Sequence, residues 1–336
     1  MEPDFGEELS KTAALLFTII VIILLVLGVP SNTLVLWTLL KIKRLRRNQN
    51  FFVGNLAVSD FLITAYLLPF NLFFLLNKDA EIPSVLCDMN GVFTRLLFTS
   101  SVFSVTMIAM HRYIKICHYT FYPRIYTRKT VLVIIGGIWV IGLLFAMPFI
   151  WIDHSLIYDP TLQMCIYNRY ASKPSSTAYF VICLYAPVTV TIVCYYKINA
   201  HVRKHKNNLS AWNSGFGHSR FRNDVRSTKM TFVVFVVYLA LYSLFGVLAT
   251  ILYKHSQVSA EVHATSIYMA YANSCVNAYI YGFLNRDVYR AYKEALCCRK
   301  TRKILHRHAV ELHRTTQTPS IKAQTASSSI SQFLVL

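Results

Sequence analysis

Seven long apolar stretches limit what this chain can fold into. They run from about Thr12 to Leu40, Phe51 to Leu76, Val92 to Cys117, Val131 to Ile152, Thr177 to Tyr196, Thr231 to Tyr253 and Val262 to Leu284. Each has roughly 20 residues or more, and a helix rising about 1.5 Å per residue then crosses a hydrocarbon layer of about 30 Å. A soluble core rarely needs helices of that length. The hydrophobic content of 55% and the mean hydropathy of +0.43 point the same way. The expected fold is therefore an all-α membrane protein, a seven-transmembrane helix bundle with a short amphipathic helix after the seventh span.

The first stretch differs from a secretory signal in two ways. The residues ahead of it include Glu2, Asp4, Glu7 and Glu8 rather than a basic cluster, and its apolar run is about twice a signal core. It is expected to stay as the first helix, after an extracellular tail of residues 1–11. The bundle then occupies 12–284, the amphipathic cytosolic helix 285–298, and a Ser-, Thr- and Gln-rich disordered cytosolic tail 299–336.

A formal net charge of +19 raises the question of a nucleic-acid partner, and the distribution of that charge answers it. Of the 34 Lys and Arg residues, 28 lie in residues 41–50, 112–130, 197–229 and from 286 onward. Five of the other six, Lys11, Lys78, Arg169, Lys173 and Lys254, lie in the first tail and the alternate loops, and Arg95 lies inside a span. The positive-inside bias then puts the N-terminus outside and the C-terminus in the cytosol. Basic rims facing anionic lipid account for the charge, so membrane lipid is the expected partner and nucleic acid is not. The sequon Asn208-Leu209-Ser210 falls in a cytosolic segment. No internal repeat is visible, which counts against a transporter with inverted halves.

The cysteines sort by compartment. Cys117, Cys183, Cys194 and Cys275 lie in or at the ends of spans, where cysteine is a small apolar side chain. Cys87 and Cys165 both fall on the oxidising outer side and are expected to form a disulfide that pins the loop after span four over span three. Cys297 and Cys298 close the amphipathic segment, a usual setting for palmitoylation, with unmodified thiols the alternative.

The polar residues within the spans carry a resemblance. Asn32 stands in the first span and Leu56-Ala57-Val58-Ser59-Asp60 in the second, with His111-Arg112-Tyr113 at the end of the third. Trp139 follows in the fourth, Pro187 and Tyr195 in the fifth, and Asn277-Ala278-Tyr279-Ile280-Tyr281 in the seventh. In this order the set resembles the rhodopsin-like, or class A, G-protein-coupled receptors over roughly residues 15–298. Asn277-Ala278 in place of Asn-Pro, the run His111 to His118, and Thr231-Phe232-Val233-Val234-Phe235-Val236 are similar to melatonin receptors and related orphan receptors.

The resemblance implies a plasma-membrane receptor, not an enzyme, that passes an extracellular small-molecule signal to heterotrimeric G proteins of inhibitory type. Two alternatives stay open: a ligandless or constitutively active receptor or scaffold, and a seven-span channel or transporter. Ion flux that survives removal of G proteins would mark the last.

By resemblance, Asp60, Ser101, Asn273, Ser274 and Asn277 match the family's sodium pocket. A buried carboxylate needs a partner, and either a sodium ion or a protonated Asp60 in a structural network meets that need. No other cofactor or metal is expected. His111, Arg112, Tyr113, Tyr195, Asp224 and Tyr281 match positions that couple to the G protein or hold the resting state. His111 replaces the usual acid beside Arg112, which leaves an Arg112–Asp224 latch or a solvated Asp224 as alternatives. The family's Cys-Trp-x-Pro reads Leu241-Tyr242-Ser243-Leu244, so either Gly246 or Ser243 softens span six or its motion is smaller.

Asn71, Arg95, Tyr179, Tyr242, Phe245, His263 and Tyr271 hold ligand-pocket positions. Arg95 lies eight residues past Cys87, roughly 12 Å into the span, and is expected to face the bundle. There it binds an anionic agonist or pairs with Asp88 or an outer-loop acid. Thr94 stands where amine receptors carry aspartate, and Tyr271 where opsins carry the retinal lysine. The carboxyl end at Leu336 has the form of a strand that adds to a PDZ-type groove, and also of an ordinary tail.

Overall fold

The computed structural model describes residues 9–45, 47–77, 82–148, 156–167, 173–209, 216–250, 258–284, 288–290 and 292. Met1–Tyr289 form one compact unit, and Arg290–Leu336 a second of which only Arg290 and Tyr292 are described. Cys297, Cys298, Leu336 and nearly all of the expected amphipathic helix and tail lie outside the described residues.

Seven long helices make up the first unit. α1 is Lys11–Lys41 and α3 is Ser84–Cys117, while α4 is Arg128–Ala146, α6 is Phe216–Thr250 and α7 is Ala260–Leu284. α2 runs through Asn48–Leu62, a π turn at Ile63–Leu67 and Leu68–Leu76. α5 likewise runs through Lys173–Phe180, a π turn at Val181–Tyr185 and Ala186–Leu209. Local chemistry sets two of the starts. Ser10 Oγ accepts from the Ala13 amide at 3.2 Å and opens α1, and Thr127 Oγ1 accepts from the Thr130 amide at 3.2 Å and opens α4.

Six of these helices, α1 to α6, are long and apolar enough to cross a membrane. α7 has 25 residues and falls short of that apolarity because Glu261, His263, Asn273, Ser274 and Asn277 dilute it. Most of those side chains are buried in the bundle, so lipid does not meet them. The outward faces are apolar instead, with Leu15, Val26, Val133, Leu144 and Phe283 among the most exposed side chains.

α3 is the central helix and packs against α2, α4, α5 and α6, while α1 packs against α2 and α7, and α6 against α7. α1 approaches its neighbours at Gly28, where an added Cβ would meet Thr64 Cγ2 of α2 and come within 2.8 Å of Cys275 Sγ of α7. Three helices start earlier than hydropathy alone marks them: α3 at Ser84, α5 at Lys173 and α6 at Phe216. The first turns of α5 and α6 carry polar residues past the apolar run, and in α3 Asp88, Asn90 and Gly91 interrupt it.

Between α4 and α5 lies an element that the apolar pattern does not signal, an antiparallel hairpin of β1 (Leu156–Asp159) and β2 (Met164–Tyr167). Cys165 on β2 is disulfide-bonded to Cys87 in the first turn of α3, as the compartment argument expected.

Candidate functional site

The polar residues of the bundle fall into three levels along its axis. At the Cys87 end, Arg95 of α3 is buried and its guanidinium carbon lies 4.8 Å from the centre of the Tyr179 ring of α5. Tyr179 is itself fixed, since its hydroxyl donates to the Arg95 carbonyl at 3.1 Å and lies 3.1 Å from Thr99 Oγ1. Phe98, one turn below Arg95, contacts Tyr179, Tyr242 and Phe245, with the Tyr242 ring at 5.2 Å. Three of the expected pocket residues thus gather around one phenylalanine that sequence reasoning passed over, and a fourth, Arg95, stacks on one of the three. A second pair lies between α2 and α7, where Asn71 Nδ2 donates to the Tyr271 hydroxyl at 3.4 Å. His263 is buried about two turns above Tyr271 on α7.

The middle level centres on Asp60, which is fully buried. Its Oδ2 accepts from Asn277 Nδ2 at 3.0 Å. The Ser101 and Ser274 hydroxyls lie beside the carboxylate without bonding to it. Asp60 Oδ1, Ser101 Oγ, Asn273 Oδ1, Ser274 Oγ and Asn277 Oδ1 are all buried and have no hydrogen-bond partner. Leaving such atoms unsatisfied costs on the order of 1–3 kcal/mol each, and either donation from the Ser101 and Ser274 hydroxyls to Asp60 or a bound occupant relieves it. A carboxylate, two hydroxyls and two amide oxygens form a donor set that suits a hard cation. Asn32 Nδ2 ties this level to α1 by donating to the Gly28 and Ser274 carbonyls at 3.0 and 2.9 Å.

A neighbouring network joins α2, α3 and α4. Trp139 Nε1 donates to Asn55 Oδ1 at 2.8 Å, Asn55 Nδ2 donates to Ser104 Oγ at 2.8 Å, and Ser59 Oγ donates to Ser100 Oγ at 2.8 Å. Asn55, Ser100 and Ser104 are invisible to a search for charged or aromatic residues. Their only signal is recurrence at helical spacing within apolar runs.

At the third level, the opposite end of the bundle, Arg112 is buried, and its Nη2 donates to Ser227 Oγ of α6 at 2.6 Å and its Nη1 to Gln49 Oε1 of α2 at 3.1 Å. The expected Arg112–Asp224 latch is not the bond formed. Asp224 Oδ1 pairs with Lys115 Nζ at 2.6 Å, with the two side chains 19% and 15% exposed. Lys115 lies one helical turn beyond Arg112 on α3, so two cations compete for one acid, and Arg112 is occupied by neutral acceptors deeper in the bundle.

His111 has a structural role here. Its Nε2 lies 3.0 Å from the Tyr122 hydroxyl and its ring packs edge-on against Phe52, Tyr122 and Tyr126. This cluster holds the short helical turn Tyr122–Ile125, and Asn48 Nδ2 fixes its end through the Tyr126 carbonyl at 2.6 Å. Burial pushes the Tyr126 phenol up to about 12, so it stays neutral at physiological pH. Tyr113 lies at the edge, its hydroxyl 2.9 Å from His118 Nε2 and its ring under Lys197.

The hydroxyls of Tyr195 and Tyr281 are buried with no hydrogen-bond partner, and so is Arg112 Nε. Arg112 and Tyr281 line a cavity of about 10 Å³ with Thr38, Asn50, Met230 and Val288. That is room for about one water molecule.

α6 runs unbroken past the missing proline. Ser243 Oγ turns back to the Ala240 carbonyl at 3.0 Å, and the Gly246 carbonyl accepts from the Tyr185 hydroxyl at 3.1 Å. Gly246 therefore serves as the place where the π turn of α5 meets α6.

A bundle of seven helices with Asp60, Arg112, Trp139 and Asn277 at these levels defines a seven-transmembrane receptor. The family described as "7 transmembrane receptor (rhodopsin family)" matches residues 31–281, and the chain belongs to it. Among similar proteins, melatonin receptor type 1A of Mus musculus is 31% identical over 302 residues, covering 87% of this chain and 83% of that protein. Melatonin receptor type 1B-B of Danio rerio is 30% identical over 273 residues, covering 80% and 77%. The fold matches squid rhodopsin with a TM-score of 0.76 at 18% identity, covering 88% of this chain and 89% of the other. The chain is thus a multi-pass, plasma-membrane G-protein-coupled receptor similar to melatonin receptors, and the channel or transporter alternative falls away.

Proposed function

We propose that this receptor is an agonist-gated activator of nucleotide exchange on an inhibitory-type heterotrimeric G protein, with its Cys87 end outside the cell and its Arg112 end in the cytosol. The observation that carries this reading is the held state of Arg112. A buried guanidinium bonded to both α2 and α6 becomes available only if the end of α6 moves. Exchange of labelled GTPγS on a panel of G proteins, in membranes carrying the chain, tests it. Agonist-stimulated exchange on the inhibitory class, lost in Arg112→Ala, is expected; stimulation confined to another class would refute the subtype.

The agonist we propose is small and carries an anionic group that docks on Arg95, with its apolar part against Phe98, Tyr242 and Phe245. The supporting feature is a buried guanidinium braced on a fixed aromatic ring beside a cluster of packed aromatic side chains. In a panel of lipid acids and indoles, an acidic agonist should lose roughly 10- to 100-fold in potency in Arg95→Ala, the range for a hydrogen-bonded charged group. The similar proteins are named melatonin receptors, so a neutral indole whose potency survives Arg95→Ala would assign this chain to their ligand class instead.

Asp60, Ser101, Asn273, Ser274 and Asn277 would hold a sodium ion in the resting state. When bound, the ion neutralises the Asp60 carboxylate and supplies partners for the five buried oxygens. The thermal midpoint of purified receptor should then rise by about 3 °C in sodium chloride over choline chloride of equal ionic strength. Asp60→Asn should remove that difference, and a wild-type midpoint indifferent to sodium would leave a structural network as the reading.

A further inference from the structure

A loop that crosses the open end of a helix bundle ordinarily exposes its turn, because backbone polar groups are most easily satisfied by water. The hairpin of this chain does the opposite. Leu162 and Met164 are each 1% exposed and Gln163 is 5% exposed, while Pro160 alone of the turn residues faces out. One side chain holds two amides of the tip, while Gln163 Oε1 is buried there without a hydrogen-bond partner. Asp159 Oδ1 accepts from the amides of Thr161 at 2.9 Å and Leu162 at 3.2 Å, and from the Thr161 hydroxyl. Gln163 takes the left-handed conformation, φ 53°, which reverses the chain into β2. One strand further, the Cys165 disulfide fixes the hairpin to α3.

The apolar cluster that the tip joins gives it a role. Leu162 and Met164 belong to one apolar cluster with Phe17 and Val21 of α1, Leu68 and Leu75 of α2, and Ala264 and Tyr268 of α7. The cluster continues down to Leu24 and Cys275, where the Cys275 thiol donates to the Leu24 carbonyl at 3.2 Å. Cys275 is next to Ser274, whose carbonyl is bonded to Asn32 and whose hydroxyl is one of the five unpartnered oxygens around Asp60. A continuous packed column thus runs from the hairpin tip to the polar centre along the interface of α1, α2 and α7.

We infer that the hairpin tip is a built-in resting-state ligand: Leu162 and Met164 wedge the Cys87 end of α1, α2 and α7 together and lower the basal activity of the receptor. This rests on the G-protein reading above. Removing the wedge frees α7 to shift against α1 and α2. Asn273, Ser274 and Asn277 of the polar centre and Tyr281, all carried on α7, shift with it against Asp60 and Ser101.

The experiment measures basal GTPγS exchange without agonist, at matched surface expression, for four chains. Leu162→Ala/Met164→Ala should raise it about threefold or more, Pro160→Ala should leave it at the wild-type value, and Asp224→Ala, acting at the other end, is the positive control. A rise with Asp224→Ala but none, or a fall, with the hairpin variant overturns the inference and leaves the receptor reading intact. If neither variant changes exchange on any G protein, both fall. A second measurement decides the matter even if the double variant stays inside the cell. On intact cells, Leu162→Cys should resist a membrane-impermeant maleimide under conditions that label Pro160→Cys. Equal labelling of the two would show the tip is not seated and overturn the inference.

Discussion

Gly28→Ala should lower the thermal midpoint of the purified receptor by about 5 °C or more, an effect out of proportion to the single methyl it adds. Glycine to alanine inside a helix ordinarily stabilises by roughly 0.5–1 kcal/mol, so intrinsic helix preference predicts the opposite sign. Packing reverses it. The new Cβ would fall on Thr64 Cγ2 and lie 2.8 Å from Cys275 Sγ and 3.1 Å from Thr64 Cβ, all well inside ordinary contact. None of these neighbours is a loose side-chain end. Thr64 Oγ1 is bonded to the Asp60 carbonyl at 2.9 Å and the Cys275 thiol to the Leu24 carbonyl. The clash must therefore open α1 from α2 and α7, at about 1–3 kcal/mol or more. It also strains the bond from Asn32 to Ser274. Thr64→Ser removes the obstructing methyl and keeps the hydroxyl, so Gly28→Ala/Thr64→Ser should recover part of the loss in a double-mutant cycle. A Gly28→Ala receptor as stable as wild type would mean that α1 does not seat this closely.

The closeness at Gly28 marks the boundary of what the amino-acid sequence made legible. Hydropathy length located the seven spans because lipid imposes a one-dimensional rule on each segment separately. The same rule is weakest for α7, whose polar side chains turn inward toward Asp60. The π turns at Ile63–Leu67 and Val181–Tyr185 left no trace, since no proline or glycine lies within either. The hairpin was missed because its burial comes from partners on α1, α2 and α7 rather than from its own four-residue strands.

Within the site, motif position led to Asp60, Arg112 and Asn277, the residues whose side-chain type is distinctive. It could not supply pairings. Gln49 and Ser227, the actual partners of Arg112, are ordinary polar residues at span ends. Phe98, the centre of the aromatic cluster, is one of 22 phenylalanines, and its spacing alone does not separate it from packing residues.

The second large effect concerns the acid of α6. Asp224→Ala should raise basal nucleotide exchange about three- to tenfold, and Lys115→Ala should do the same. A pair with side chains 15% and 19% exposed is screened less than a surface pair, and breaking it removes a direct α3–α6 tie at the end of α6 that moves in the proposed activation. A shift of about 1 kcal/mol in the resting-to-active balance is about a fivefold change in the active fraction when that fraction is small. The two residues form one bond, so Lys115→Ala/Asp224→Ala should be no more active than either single variant. The exchanged pair Lys115→Asp/Asp224→Lys should return toward the wild-type level. These variants also separate the observed pairing from the Arg112–Asp224 latch suggested by motif position. If Asp224→Ala raises basal exchange and Lys115→Ala does not, the acid acts through Arg112 after all, and the Ser227 bond is the secondary one. If Ser227→Ala raises basal exchange alongside both, α6 is held at two adjacent points, one ionic through Lys115 and one neutral through Arg112. His111 takes no part in either hold. Its ring is committed to Tyr122 and packs against Phe52 and Tyr126.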